Sequence, residues 1–185
     1  KLEPLNKDLG FSNSLQFVSG FDLAITGNIR LRLEADNQRL FNVPRIYKTN
    51  STYSSINTSE ELPMSDLTNK GLGYNRGIEL TLEKAFSNNY YFLLTMYLFK
   101  SKYNPGDGFW YNTYYNSSYV SNLLAGKDFY FGRNKRNSIG INTRSLFRGG
   151  YRYTPVDLAK SLKSKRIYYI TSQTYAVQLP DFIRL

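Results

Sequence analysis

The stretch LGYNRGIELTLEKAF, Leu72–Phe86, decides the reading of this chain. From Tyr74 onward its side chains alternate: Ile78, Leu80, Leu82 and Phe86 share one parity, while Gly77, Glu79, Thr81 and Glu83 share the other. A period of two belongs to a β-strand with unlike faces. At about 3.3 Å per residue the stretch reaches about 45–50 Å, whereas strands of soluble domains commonly hold about five or six residues. A tilted strand crosses a bilayer in about 9–11 residues. The expected fold is therefore all-β: antiparallel up-and-down strands in part of a large transmembrane barrel, apolar outside and wet inside.

Composition narrows the function classes. The 185 residues carry 24 Lys and Arg against 14 Asp and Glu, a formal charge of +10. A hydrophobic fraction of 41% argues against disorder. Seventeen Tyr and twelve Phe favour strands and membrane interfaces. No run of about 18 apolar residues exists, which excludes a transmembrane helix. The negative mean hydropathy is compatible with a barrel, because half of each spanning strand faces water. The chain opens KLEPLNKDLG without the apolar core of a signal peptide, which fits a processed chain or an internal piece. Without cysteine there are no disulfides or thiolate metal sites; without histidine there is no Ser-His-Asp or Cys-His catalysis and no imidazole for zinc. No enzymatic role and no cofactor are expected. The cations are scattered and alternate with acids, which argues against nucleic acid as a partner.

Six strands and the entry to a seventh follow from the periodicity. The first spans about Ser14–Ile25, with Leu15, Phe17, Phe21, Leu23 and Ile25 on one parity. The turn Thr26-Gly27-Asn28 follows, where glycine can supply a positive φ. The second, about Asn28–Phe41, sets Ile29, Leu31, Leu33 and Ala35 against Arg30, Arg32, Glu34 and Asp36. A long polar link, Asn42–Lys70, contains Pro44 and Pro63. The third strand, about Gly71–Phe86, turns at Ser87-Asn88-Asn89 into the fourth, about Tyr90–Tyr103, whose YYFLLTMYLF is apolar on both parities. The link Asn104–Asn112 precedes a fifth strand within about Asn116–Phe131, and the turn Gly132–Asn137 leads to a sixth, about Ser138–Gly149. One short helix is expected from Thr154-Pro155-Val156-Asp157 to about Ser164, with Thr154 as its cap. QLPDFIRL reads as entry to another strand.

Short turns alternating with long loops match outer-membrane barrels, with the short turns periplasmic and the loops outside. Six or seven strands do not close alone, since small barrels use about eight, so further strands are expected.

The runs GYNRGIELTLEKAF (Gly73–Phe86), SKY (Ser101–Tyr103), Asp107-Gly108, NLLAGKDFYFG (Asn122–Gly132), GGYRYTPVD (Gly149–Asp157) and QLPDFIRL (Gln178–Leu185) resemble, in order and spacing, the later barrel strands of TonB-dependent outer-membrane receptors of Bacteroidetes-type bacteria. The opening NSLQFVSGFDLAITGNIRLRLEADNQRLFNVP resembles the strand pair upstream. The resemblance implies a barrel of about 22 strands plugged by an N-terminal domain, this chain supplying about a third. It further implies a bacterial outer-membrane location and uptake of a siderophore, glycan or similar nutrient. The implied partners are outer-membrane lipid, the TonB–ExbB–ExbD complex acting through an N-terminal part, the nutrient ligand and a surface lipoprotein. The plug and final strands are expected to lie outside these residues. Two other classes are carried alongside: a passive outer-membrane barrel or adhesin, and a soluble β-rich sugar-binding module.

Candidate chemistry is sparse. Glu79 and Glu83 share a face about 13 Å apart, too far for the glycosidase separation of about 5–5.5 Å. Glu34 and Asp36, beside Arg30 and Arg32, read as a lumen-facing charge ladder between the second and third strands. GLGYNRG (Gly71–Gly77) has the wrong spacing for a nucleotide fingerprint. The N-glycosylation patterns at Asn50, Asn57 and Asn116 carry no information in a bacterial protein. Trp110, Tyr111, Tyr114 and Tyr115 form an aromatic cluster by an outer loop, read either as a ligand-stacking surface or as loop packing and an interfacial belt. With Arg30 and Arg32 they are the candidate ligand-facing residues. Lys160, Lys163, Lys165 and Arg166 read as a solvated basic run.

Overall fold

A computed structural model describes residues 5–47, 51–57 and 66–185. Pro63 and parts of two glycosylation patterns (Asn50, Thr58, Ser59) lie outside the described residues. The chain is a meander of long antiparallel strands. These are β1 (Asn13–Thr26), β2 (Ile29–Ile46), β3 (Leu67–Ser87), β4 (Tyr90–Asn104), β5 (Tyr111–Asn112), β6 (Tyr119–Phe131), β7 (Asn137–Arg148), β8 (Arg152–Tyr153), β9 (Val177–Gln178) and β10 (Phe182–Arg184). One eight-stranded sheet runs β1-β2-β3-β4-β6-β7-β10, with β5 on β4; β8 and β9 form a separate pair. The sheet is open, with β1 at one edge and β10 at the other. The all-β expectation is met. No helix among the described residues is long and apolar enough to cross a membrane.

Register sorts the side chains. Leu23, Leu31, Leu82, Leu94 and Leu123 form one cross-strand row, and Phe21, Leu33, Leu80 and Met96 the next. The fourth strand's faces are thereby assigned: Phe92, Leu94, Met96 and Leu98 lie with the leucines, and Leu93, Thr95, Tyr97 and Phe99 opposite. Every carboxylate in the strands (Asp22, Glu34, Asp36, Glu79, Glu83, Asp128) falls on this second face. No second layer covers the leucine face among the described residues. Ile78 is 54% exposed, Ile141 59% and Phe17 70%. Among the described residues the buried apolar side chains are Val43, Leu67, Tyr103 and Pro105, all toward the loop end.

Several expected boundaries move. The link Asn42–Lys70 is shorter than expected, because β2 continues to Ile46 and β3 begins at Leu67. Pro44 lacks an N–H, and two register shifts around Val43, with Asn42 at φ 56°, let the ladder pass it. Asn69 donates its side-chain amide to the Asn42 carbonyl at 2.8 Å. Asn116–Ser118 belong to the preceding loop, not to β6. The helix, α1 (Leu158–Ser164), is capped by Asp157, whose carboxylate accepts from Lys160 N at 2.9 Å. Thr154 instead accepts from Tyr175 N, because Val156 is held extended by a bridge to Tyr169.

The short turns line one end of the sheet. Asn88 and Asn89 both take positive φ, 50° and 68°, the twist-matched hairpin turn. Gly27 does not adopt the positive φ expected of it; the Thr26 hydroxyl donates to Asn28 Oδ1 across that turn. Asn28 O accepts from Ala85 N at 2.9 Å, and Asn89 O from Asp128 N at 2.8 Å, linking turn to strand. Lys84 sits here on the leucine parity yet is 3% exposed. Its ammonium donates to Ser87 O (2.8 Å), Ser87 Oγ (2.6 Å) and Tyr90 O (3.0 Å), and lies 3.7 Å from the Tyr90 ring centroid. A charge on an apolar face is tolerated because the turn carbonyls satisfy it. Lys84→Met leaves those carbonyls unpaired and is expected to destabilise by about 2–3 kcal/mol. The measurement is a denaturant midpoint; a shift within error removes the role assigned to this ammonium.

Candidate ligand-facing wall and loop cluster

The carboxylate face is built by parity alone, and its chemistry follows from register. Arg30 and Arg32 both pair with Asp22 on β1: Arg30 Nη2 and Nε each stand 2.6 Å from a carboxylate oxygen, and Arg32 Nε 3.4 Å. The expected ladder between β2 and β3 keeps one rung, Arg30 opposite Glu83, and is corrected farther along. Register sets Glu34 directly opposite Glu79, a like-charge pair, and Asp36 opposite Gly77. The arginines sit nearer the turns, with Asp22 across from Arg32.

Gly77 has a specific use. A Cβ there would come within 2.4 Å of the Tyr97 ring. The bare glycine lets Tyr97 lie across β3 and donate to Asp36 Oδ1 on β2 at 2.8 Å. Tyr97 also stacks on Phe99, ring centroids 4.9 Å apart at 11°. The arrangement repeats at Gly126, over which Tyr91 reaches Asn142 at 2.9 Å. Between β1 and β4 lies a polar depression of about 540 Å³, lined by Gln16, Gln38, Asn75, Glu79, Ser101 and the Tyr97–Phe99 stack, among others. Amides, carboxylates and ring faces there offer donors, acceptors and stacking surfaces to a polar solute.

The expected aromatic cluster is divided. Trp110 packs on Tyr74, centroids 5.1 Å apart, and Tyr74 lies on the leucine parity. Tyr111 packs on buried Tyr103 and donates to Asp107 at 2.7 Å. Burial, and then this bond, push the Tyr111 phenol up to about 12. Tyr114 stacks on Tyr151 at 4.9 Å and meets Tyr115 and Tyr175 edge-on. Of the four, Tyr115 alone lines the polar depression, and it is exposed. Of the basic run, Lys160 lies 4.6 Å from the Tyr168 ring centroid.

The loop end is polar and densely bonded. Tyr103 donates to Thr52 O at 2.8 Å, and Asn57 Oδ1 accepts from Tyr114 N at 2.6 Å. Arg152 donates to Asn116 O, Ala176 O and Gln178 Oε1, and its burial lowers its pKa. No group of three or more Asp or Glu side chains among the described residues is placed to hold a metal ion.

Sequence reasoning missed Tyr97, Phe99, Gln38 and Asn75. The available signal was Gly77, a glycine on the polar parity of a strand, which marks a close approach. No family model, no curated protein and no solved structure matches this chain.

Gly77→Ala is expected to destabilise by about 1–3 kcal/mol by displacing Tyr97. In a Tyr97→Ala background the same change should be near neutral. Equal costs in both backgrounds, measured as a double-mutant cycle, would show that the ring does not explain the glycine.

Proposed function

We propose that this sheet is a wall segment of a large outer-membrane β-barrel, of the type found in TonB-dependent nutrient receptors. The observation that carries the reading is the complete segregation of the strands' carboxylates from an exposed apolar face over which the described residues lay no second layer. A patch of that size on a soluble protein is a binding surface or an aggregation hazard. On β4 the apolar parity runs from Tyr90 to Leu98, about 26 Å along the strand. Tilted by about 40° this covers about 20 Å of depth, close to the apolar band of about 25 Å in such barrels.

The two sheet edges carry unpaired backbone groups, which hydrocarbon does not tolerate, so further strands complete the wall. The polar face then lines the lumen. Its Tyr97–Phe99 stack, Tyr115 and amide groups contact a polar solute such as a glycan or siderophore. The segment supplies wall and loops, and no reaction. Energy coupling, through a plug and the TonB–ExbB–ExbD complex, belongs to parts beyond this sheet, as does any lipoprotein partner.

Spin labels on the intact protein in vesicles test the facing. Labels at Leu31, Leu33, Leu80, Leu82 and Leu94 should be accessible to oxygen and shielded from a water-soluble relaxant. Labels at Arg32, Glu79, Thr81 and Thr95 should show the opposite. A uniform pattern, or the reverse one, sinks the wall reading.

A further inference from the structure

The leucine face carries a feature that a plain lipid-facing wall does not require. Directly beyond the row of Ile78 and Leu98, toward the loop end, stand Arg39, Arg76, Lys100 and Lys102. Register places Arg76 opposite Lys100, Tyr74 opposite Lys102, and Arg39 opposite Tyr74. The Arg76 guanidinium lies 4.8 Å from the Tyr74 ring centroid, and Trp110 covers the same ring at 5.1 Å. Among the described residues none of these four cations has a carboxylate within ion-pair distance, and every strand carboxylate lies on the other face. Like charges directly opposite destabilise a strand pair, and a bridging anion relieves the repulsion more fully than screening by water does.

Depth and asymmetry identify the anion. Lys100 follows Leu98 by two residues and Arg76 precedes Ile78 by two, about 7 Å along the strand. On the proposed wall that is the level of the lipid head groups. The turn end of the same face is different: Phe86, Tyr90 and Phe129 dominate there, Lys84 is consumed by turn carbonyls, Lys127 lies over Phe129 at 5.1 Å, and Arg133, Lys135 and Arg136 stand in the β6–β7 turn and not on the strand face. We infer that Arg39, Arg76, Lys100 and Lys102, with Tyr74 and Trp110, form a head-group site for a phosphate-bearing lipid of the leaflet on the loop side. Arginine forks grip the phosphate oxygens. Tyr74 and Trp110 hold the interfacial glycerol or sugar region. The inference rests on the wall reading for its depth assignment.

Trp110 is the chain's one tryptophan and reports on the site. The intact protein is placed in phosphatidylcholine vesicles containing phosphatidylglycerol, with bromine near the ester end of either lipid at equal mole fraction. Brominated phosphatidylglycerol should quench Trp110 more strongly, and Arg76→Gln/Lys100→Gln should abolish the preference, each cation contributing about fivefold to enrichment. Equal quenching by both lipids in the parent protein overturns the site, as does a preference that survives the double substitution. Loss of the preference on adding inorganic phosphate, at an ionic strength matched with chloride, overturns the assignment to a lipid. A Leu80→Trp reporter in a Trp110→Phe background separates the two readings. Quenched by both lipids while Trp110 shows no preference, it leaves the wall and removes the head-group site; quenched by neither, it removes the wall.

Discussion

A β-strand satisfies its backbone sideways, through its neighbours, and leaves both faces free to be chosen by side chains. Here that freedom is used in full. From β1 to β7 the ladders are nearly continuous, while one face receives leucine, isoleucine and phenylalanine and the other every strand carboxylate. A slip of one residue would exchange the faces wholesale. Register is therefore the quantity on which the rest depends, and several unlike devices hold it. The bulges next to Ala24, Val43 and Lys84 absorb extra residues near strand ends. Tyr97 over Gly77 and Tyr91 over Gly126 each tie β4 to the strand beyond its neighbour, β2 on one side and β7 on the other. The Asp22 fork on Arg30 fixes β1 against β2.

Strand positions were legible in the sequence because a period of two persists through side chains of opposite character, as in Ile78–Glu83. It failed at YYFLLTMYLF, where tyrosine and leucine serve both faces; there only pairing with β3 and β6 decides. Partnership across strands was not legible either. Glu34 follows Arg30 and Arg32 on the same parity, yet register sets it against Glu79 and brings both arginines to Asp22, with Arg30 also facing Glu83. Charges adjacent in sequence say little about which charge lies opposite. The aromatic cluster failed for a related reason. Neighbours such as Trp110 and Tyr111 sit on opposite parities, so a run of aromatic residues is divided between two surfaces. The helix start moved from Thr154 to Asp157 because a tertiary bridge from Val156 to Tyr169 outweighed a local capping preference.

The two ends of the sheet have different construction. The turn end uses few residues and satisfies its carbonyls with Lys84 and cross-turn amides. At the loop end the packing is close enough that Gly149 and Gly150 have no room for side chains: a Cβ would meet Ser117 O at 1.9 Å and Leu179 O at 2.0 Å. Arg152 and Gln178 bind carbonyls from three segments around that contact. Long loops held by polar bonds around a small buried cluster at Val43, Leu67 and Tyr103 are suited to a surface bathed in water that must still present fixed side chains.

The two faces make demands that one solvent cannot meet. Ile139 and Ile141, at 57% and 59% exposed, are covered by no second layer among the described residues and call for hydrocarbon or another protein. Glu34 opposite Glu79 calls for the reverse: a dry enclosure would make two facing carboxylates prohibitive, whereas water screens them at small cost. A sandwich buries the first face and leaves the second wet, but it requires a covering layer that the described residues do not supply. The proposed wall needs none, since lipid takes one side of each strand and a water-filled lumen the other. On this reading the unpaired acids mark the aqueous side as firmly as the leucines mark the lipid side.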